Sequence, residues 1–197
     1  LYRQQYFFSR DMVKIMPEPG DYVIDGGAFL GDTAVTFANS VSPNGKVYSF
    51  DPVRDHLDIL KHNVDQNPNL NIQIMPYGLS NADVDCPPIK IDRYHGGFTA
   101  CNKKVPVRAI DSLVSKNEIE RLDYIKLDIE GSELDAIKGA IKSIGKFKPK
   151  LAISLYHKPQ DFFEIPSFIS KNFPFYKFYL RHYPCHKEET VLYCDPF

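Results

Sequence analysis

The chain lacks the features by which many proteins announce a macromolecular or membrane partner. Lysine and arginine number 24 against 25 aspartates and glutamates, a formal net charge of −1. With no basic stripe either, a general electrostatic grip on nucleic acid is excluded. No apolar run approaches the ~20 residues of a membrane-spanning helix, and nothing reads as a signal peptide, so a soluble, cytoplasmic chain without a membrane span is expected. Cysteine is scarce. Cys86, Cys101, Cys185 and Cys194 form no C-x-x-C pair and no zinc spacing, which fits isolated thiols in a reducing compartment. Cys185 and Cys194, with His182 and His186, are the one cluster that could hold a metal or close a terminal hairpin. Internal repeats and low-complexity tracts are absent. The chain starts at Leu1, which reads as a truncation upstream of a single domain spanning residues 1–197.

What is present is 43% hydrophobic content, enough for one ordinary core, arranged as alternating strand and helix patterns. Tyr22 to Asp25 reads as a buried strand, Asp32 to Asn39 as a helix, Lys46 to Asp51 as a strand. Leu57, Leu60 and Val64 share a helical face, and a third strand follows near Asn71 to Met75. Residues 80–110 break the rhythm with Pro87-Pro88 and Gly96-Gly97, and are expected to form an inserted hairpin or lid. Asp123 to Asp128 resumes as a strand. Leu134, Ile137, Ile141 and Ile144 then predict one helix, Lys150 to Leu155 a strand, and Gln160 to Asn172 a helix split near Pro166. Tyr176 to Leu180 and Glu189 to Tyr193 are expected to pair antiparallel. Strands alternating with helices predict an α/β fold on a parallel sheet.

In such sheets ligands sit at the carboxyl ends of the strands. The first strand ends in Asp25-Gly26-Gly27-Ala28-Phe29-Leu30-Gly31-Asp32-Thr33, a glycine-rich turn entering a helix. There the backbone can approach a ligand and free N–H groups can face it. Its glycines miss the dinucleotide G-x-G-x-x-G spacing, which disfavours a nucleotide-dependent oxidoreductase. The second strand ends in Asp51-Pro52, where an acid can accept both ribose hydroxyls or cap the next helix. The fourth ends in Lys126, Asp128, Glu130 and Glu133. Alternation places the first three on one side, a costly set unless a ligand, metal or partner neutralises them. Glu133 suits the next helix N-terminus. The fifth strand runs into Tyr156-His157-Lys158-Pro159 and Asp161, offering a histidine base with a carboxylate to orient it; Asp161 equally suits a helix cap.

Asp25, Gly27 and Gly31 fall on the acid-x-Gly-x-x-x-Gly pattern of S-adenosylmethionine-dependent methyltransferases, with Phe29 where many have a middle glycine. Together with Asp51-Pro52, Gly78-Leu79-Ser80, Ile110-Asp111-Ser112-Leu113, Lys126 through Glu133, and Tyr156 through Asp161, the chain resembles the FkbM methyltransferase family. The resemblance implies a Rossmann-like class I methyltransferase fold, α/β, with a seven-stranded mostly parallel sheet whose last strand is antiparallel. It also implies S-adenosyl-L-methionine as cofactor and an O-methyltransferase acting on a sugar, glycan or natural-product acceptor.

Carried over by position, Asp25, Gly26, Gly27, Ala28, Gly31, Asp32 and Thr33 would cradle the cofactor and Asp51, commonly glutamate in the family, would bind its ribose beside Pro52. Gly78, Leu79 and Ser80 would flank the adenine. Lys126, Asp128, Glu130 and His157 would line the acceptor side, with His157 as base held by Asp128 or Asp161; Asp128 would also border the cofactor. A divalent cation such as magnesium on Asp128 and Asp161 is the metal variant. A non-catalytic interaction module of the same fold and a homo-oligomer are both compatible with the sequence.

Overall fold

The computed structural model describes residues 5–85, 105–183 and 190–197. A short antiparallel hairpin, β1 (Phe8–Arg10) and β2 (Val13–Ile15), precedes the main sheet. Then follow β3 (Tyr22–Gly26), α1 (Asp32–Val41), β4 (Lys46–Phe50), α2 (Arg54–Asp65), β5 (Ile72–Met75), β6 (Gly78–Leu79), β7 (Val107–Arg108) and α3 (Ile110–Ser115). The second half holds β8 (Tyr124–Leu127), α4 (Glu133–Lys138), α5 (Ile141–Phe147), β9 (Lys150–Ser154), α6 (Asp161–Asn172), β10 (Tyr176–His182) and β11 (Thr190–Pro196).

The seven-stranded sheet runs β10-β11-β9-β8-β3-β4-β5, and β11, the last strand, is antiparallel to both of its neighbours. Winding leaves β3 outward through β4 to β5, then returns to β8 on the other side of β3. That reversal opens a crevice at the carboxyl ends of β3 and β8.

Strand residues are apolar on both faces because both faces are covered. Ile24, Tyr48, Ile125, Ile153 and Leu192 pack with Ile137, Ile144, Ile165 and Ile169 of α4 to α6. Their neighbours in sequence, Val23, Val47, Tyr124, Ala152, Val191 and Tyr193, pack on the opposite side against Phe37 and Val41 of α1 and against Phe8 and Ile15 of the hairpin. Period-two alternation thus divides the core into two layers.

Two expectations need correcting. The helix predicted through Leu134 to Ile144 is two helices, because the Asp111 carboxylate accepts Lys142 N at 3.0 Å and Ser143 N at 2.8 Å, capping α5 from outside. Gly139 at the break lies so close to the chain leaving β6 that a Cβ would come within 2.1 Å of Ser80 O. Conversely, α6 is not split: Pro166 sits inside a continuous helix. Phe162, whose carbonyl loses its helical donor, is 40% exposed, so water can serve it.

Of the 80–110 insertion, residues 86–104 lie outside the described residues, and with them Ile89 to Ile91, Cys86 and Cys101. Its described shoulders are tied down: β6 pairs parallel with β7, and Val84 bridges Val107. Ile110 already belongs to α3. Cys185 and His186 also lie outside the described residues, whereas Cys194 is a buried free thiol in β11. No helix among the described residues is long and apolar enough to cross a membrane.

Candidate active site

The glycine turn after β3 is built around a close approach of two strand ends. Gly27 has φ 78°, and a Cβ there would sit 1.9 Å from the carbonyl oxygen of Asp128. Only glycine fits both the torsion and the gap. Gly27 N and Ala28 N both donate to Phe50 O at 3.0 Å, and Asp128 N donates to Gly26 O at 3.1 Å, lacing the ends of β3, β4 and β8 together. Phe29 also has positive φ, 47°, the conformation that a glycine at that position would adopt without strain. Its ring packs edge-on against His56 at 4.6 Å. Gly31 precedes α1, whose N-terminus carries no side-chain cap, leaving first-turn amides at Asp32 and Thr33 without that partner.

The acids of this half are enclosed. Asp25 is fully buried; its Oδ1 pairs with Lys126 Nζ at 3.1 Å and its Oδ2 accepts Thr33 Oγ1 at 2.7 Å. Lys126 also donates to Gly27 O at 2.7 Å. The structure therefore places Lys126 under the glycine turn, away from the open end of β8 that Asp128 and Glu130 occupy. Asp51 accepts Phe29 N at 3.0 Å and Val53 N at 2.8 Å, with His56 Nδ1 at 3.1 Å. It joins the turn to the start of α2, a capping role alongside whatever ligand role it has. Burial raises its pKa, the hydrogen bonds and His56 opposing. Pro52 lies 3.9 Å from where a Gly78 Cβ would stand. Leu79 is buried, Ser80 N donates to Arg108 O, and Tyr77 carries the Arg108 guanidinium 4.8 Å over its ring.

Past β8 and β9 the side chains converge. Asp128 accepts Tyr6 Oη at 2.8 Å and Tyr156 Oη at 2.6 Å. Burial pushes its pKa up, but Lys126, the two tyrosines and His157 outweigh it and hold the carboxyl below its usual value. His157, largely buried, places Nε2 3.5 Å from Asp128 Oδ1 and 3.7 Å from Glu130 Oε2, while Nδ1 lies 2.9 Å from Glu133 Oε1. Burial works against its protonation, but Glu133, Asp128 and Glu130 together raise its pKa. Glu130 is exposed and itself has positive φ, 55°, three residues past the end of β8, where strand alternation no longer applies. Asp161 accepts Lys158 N at 3.1 Å, holding the loop into α6; burial, then Glu133, raises its pKa. A cleft of about 280 Å³ lies between α4 and α6, lined by Gly131, Lys138, Lys158, Asp161 and Glu164 among others, with Asp128, Glu130 and His157 outside its lining.

Sequence reasoning therefore brought together Asp128, Glu130 and His157 correctly in space, and placed Asp161 one loop away from the imidazole. Missed were Tyr6 and Tyr156 as partners of Asp128, and Glu133 as the carboxylate beside Nδ1. Glu133 carried a signal: an acid in a helix's first turn ordinarily faces water, yet here a strand end full of charge precedes it by a few residues. As a metal set, the structure groups Asp128, Glu133 and His157, each with a ligand atom within 4.8 Å of the others; Asp161 is not in that group.

A doubly wound sheet of this strand order, with a glycine turn at its switch point and an uncapped helix behind it, is the class I methyltransferase fold. Residues 25–180 match the methyltransferase FkbM domain, and the chain belongs to that family. It is 28% identical over 143 residues to the hexuronic acid methyltransferase AglP of Haloferax volcanii, covering 69% of this chain and 58% of that protein. The crystal structure of an FkbM methyltransferase from Methylobacillus flagellatus superposes with a TM-score of 0.75 at 28% identity, covering 89% of this chain and 44% of that one. Aeropyrum pernix fibrillarin, solved with natively bound S-adenosyl-L-methionine, shares the fold alone, with a TM-score of 0.58 at 12% identity over 90% of this chain and 67% of its own. The chain thus spans less than two thirds of the length of AglP and of the Methylobacillus flagellatus protein.

Proposed function

We propose that this chain is an S-adenosylmethionine-dependent O-methyltransferase whose acceptor is a hydroxyl of a sugar, glycan or natural product. The observation that carries the reading is the 1.9 Å approach of a would-be Gly27 Cβ to Asp128 O, which puts the donor-side turn and the His157 cluster on adjoining strand ends. The residues fit the cofactor chemically. Uncapped amides at Asp32 and Thr33 suit its carboxylate. The Asp51 carboxylate, with about four lone-pair sites, retains acceptor capacity for a ribose hydroxyl beyond its two backbone bonds and the His56 contact. Gly26, Gly27, Ala28 and Gly31 supply the close wall, and the Gly78 to Ser80 segment flanks the adenine position.

When bound, the cofactor supplies an electrophilic sulfonium methyl. The protein's share is to align the acceptor oxygen, exclude water and take up one proton. His157 Nε2 takes the hydroxyl proton, and Glu130 and Asp128 accept hydrogen bonds from neighbouring hydroxyls. AglP is a hexuronic acid methyltransferase, which supports a carbohydrate acceptor here. The same reading places the chain in the cytoplasm, which cell fractionation checks.

A divalent cation is the rival that an observation favours, through Asp128, Glu133 and His157; an imidazole with two carboxylates suits manganese or zinc better than magnesium. Methyl transfer unaffected by EDTA removes it. Calorimetry with S-adenosylmethionine, S-adenosylhomocysteine and NAD tests the class: binding of the first two is expected, and binding of neither overturns the proposal. Transfer of a labelled methyl group to free hexoses and hexuronic acids then tests the acceptor.

A further inference from the structure

We infer that Glu133 is a positioning residue that fixes the ring tautomer of His157, so that Nε2 presents its lone pair to the acceptor. The inference rests on the methyltransferase reading for its use, though not for its geometry. Glu133 opens α4 but is fully enclosed rather than turned to water. Ile129 N donates to its Oε1 at 2.8 Å, locking the carboxylate in place. The same oxygen lies 2.9 Å from His157 Nδ1, within ion-pair reach though off the line of a ring N–H, and neither that nitrogen nor Glu133 Oε2 has a hydrogen-bond partner among the described residues. Burying a carboxylate with an idle oxygen is costly. A neighbouring proton-bearing nitrogen offsets that cost.

A carboxylate can only accept, so the ring proton of neutral His157 belongs on Nδ1. Nε2 is then the basic nitrogen. It stands 3.5 Å from Asp128 Oδ1 and 3.7 Å from Glu130 Oε2, too far for either to claim it by a hydrogen bond and close enough to frame a hydroxyl between them. The proton count closes: the acceptor O–H bond breaks toward Nε2 as the oxygen bonds the methyl carbon, and the old carbon–sulfur pair leaves on sulfur. The resulting imidazolium is flanked by Asp128 and Glu130 from the loop after β8 and by Glu133 from α4. Tyr156 lies alongside at 4.4 Å between ring centroids, and Asp161 on α6 adds to the field.

Long-range proton–nitrogen correlation spectra of the uniformly nitrogen-15-labelled chain test this directly, with His157 assigned by its loss in His157→Gln. At a pH above the titration midpoint of His157, found by following the same ring nitrogens as pH rises, wild-type His157 is expected as the Nδ1–H tautomer. Glu133→Gln keeps the side-chain size and an oxygen for Ile129 N but removes the negative charge beside Nδ1, and is expected to shift the tautomer ratio toward Nε2–H by roughly tenfold, the difference between a charged and a neutral acceptor. An Nε2–H wild-type ring, or an unchanged ratio in a folded Glu133→Gln chain, overturns the inference. Should the variant fail to fold, the wild-type tautomer alone decides. Calorimetry with S-adenosylhomocysteine on the same samples separates the two claims: an Nδ1–H ring in a chain that binds no cofactor refutes the methyltransferase reading and leaves this one standing.

Discussion

Replacing Lys126 with methionine separates a structural lysine from a catalytic one. Its ammonium is 3.1 Å from Asp25 Oδ1, and the two side chains are 2% and 0% exposed. Methionine keeps the length and the apolar stem, so packing changes little; what changes is that Asp25 loses its cation and keeps only the Thr33 hydroxyl. Stripping the partner from a buried ion pair costs about 3–5 kcal/mol. In a domain of this size each kcal/mol moves Tm by about 2–4 °C, so the variant is expected to melt roughly 6–20 °C below wild type. Adding Asp25→Asn removes the stranded charge and is expected to restore most of that loss. Thermal unfolding by circular dichroism on the four members of this cycle gives the answer. A K126M chain that melts within about 3 °C of wild type yet no longer transfers methyl groups refutes the reasoning and returns Lys126 to the chemistry.

Gly27→Ala combines a left-handed torsion costing about 1–2 kcal/mol with a Cβ 1.9 Å from Asp128 O. A marked fall in Tm together with weakened S-adenosylhomocysteine binding is expected; normal values for both sink the idea that the glycine joins the two halves. Asp83 accepts Ala109 N, Ser112 Oγ and Lys116 Nζ. Burial alone would raise its pKa, but these partners bring it down to about 2. The folded value being depressed, its stabilisation is complete above the unfolded value near 3.8 and is lost as pH falls from there through about 2. For so exposed a carboxylate that amounts to about 1 kcal/mol after screening. Asp83→Asn is expected to flatten the acid limb of a stability profile, and an unchanged limb argues against the clamp. As the proposed base, His157 would act only when deprotonated, and its pKa is raised, so methyl transfer is expected to fall on acidification with a midpoint above the ordinary histidine value. Glu130→Gln is expected to move that midpoint down; a wild-type midpoint at or below the ordinary value removes His157 as the base.

The strand ladder was legible because buried parallel strands read as short apolar runs, and the antiparallel end was legible because a turn-rich link joins two adjacent runs. The break between α4 and α5 was not, since the spacing of Leu134, Ile137, Ile141 and Ile144 is helical throughout. The interruption comes from Asp111, a residue distant in sequence. Site residues show the same division. Asp128 and His157 stood out as polar groups at strand ends. Tyr6 did not, because only the fold brings an N-terminal tyrosine 122 residues along the chain to Asp128. Strand alternation gave Lys126, Asp128 and Glu130 a common side, yet Lys126 is enclosed against Asp25 and Gly27 O, β8 ends at Leu127, and Glu130 itself stands at positive φ in the turn that follows.

Lys126 is the residue through which the two halves depend on one another. Its ammonium touches Asp25 and Gly27 O on the donor side, lies 5.2 Å over the Tyr6 ring, and leads the groups that hold the Asp128 carboxyl below its usual pKa. Tyr6 in turn donates to Asp128. A charge beneath the glycine turn therefore favours the ionised Asp128 carboxylate without standing in the open cluster with Glu130 and His157. A lysine in the open cluster could have done the same, but its ammonium would have competed for protons and hydrogen bonds with His157. Enclosing it under the turn separates the field it exerts from the groups proposed to meet the acceptor. Lys126→Arg tests that separation: a wider guanidinium in a fully packed slot is expected to disturb the Gly27 turn while preserving the charge, so cofactor binding falls before the pH dependence of methyl transfer moves. The opposite order places the lysine's effect in the acceptor cluster itself.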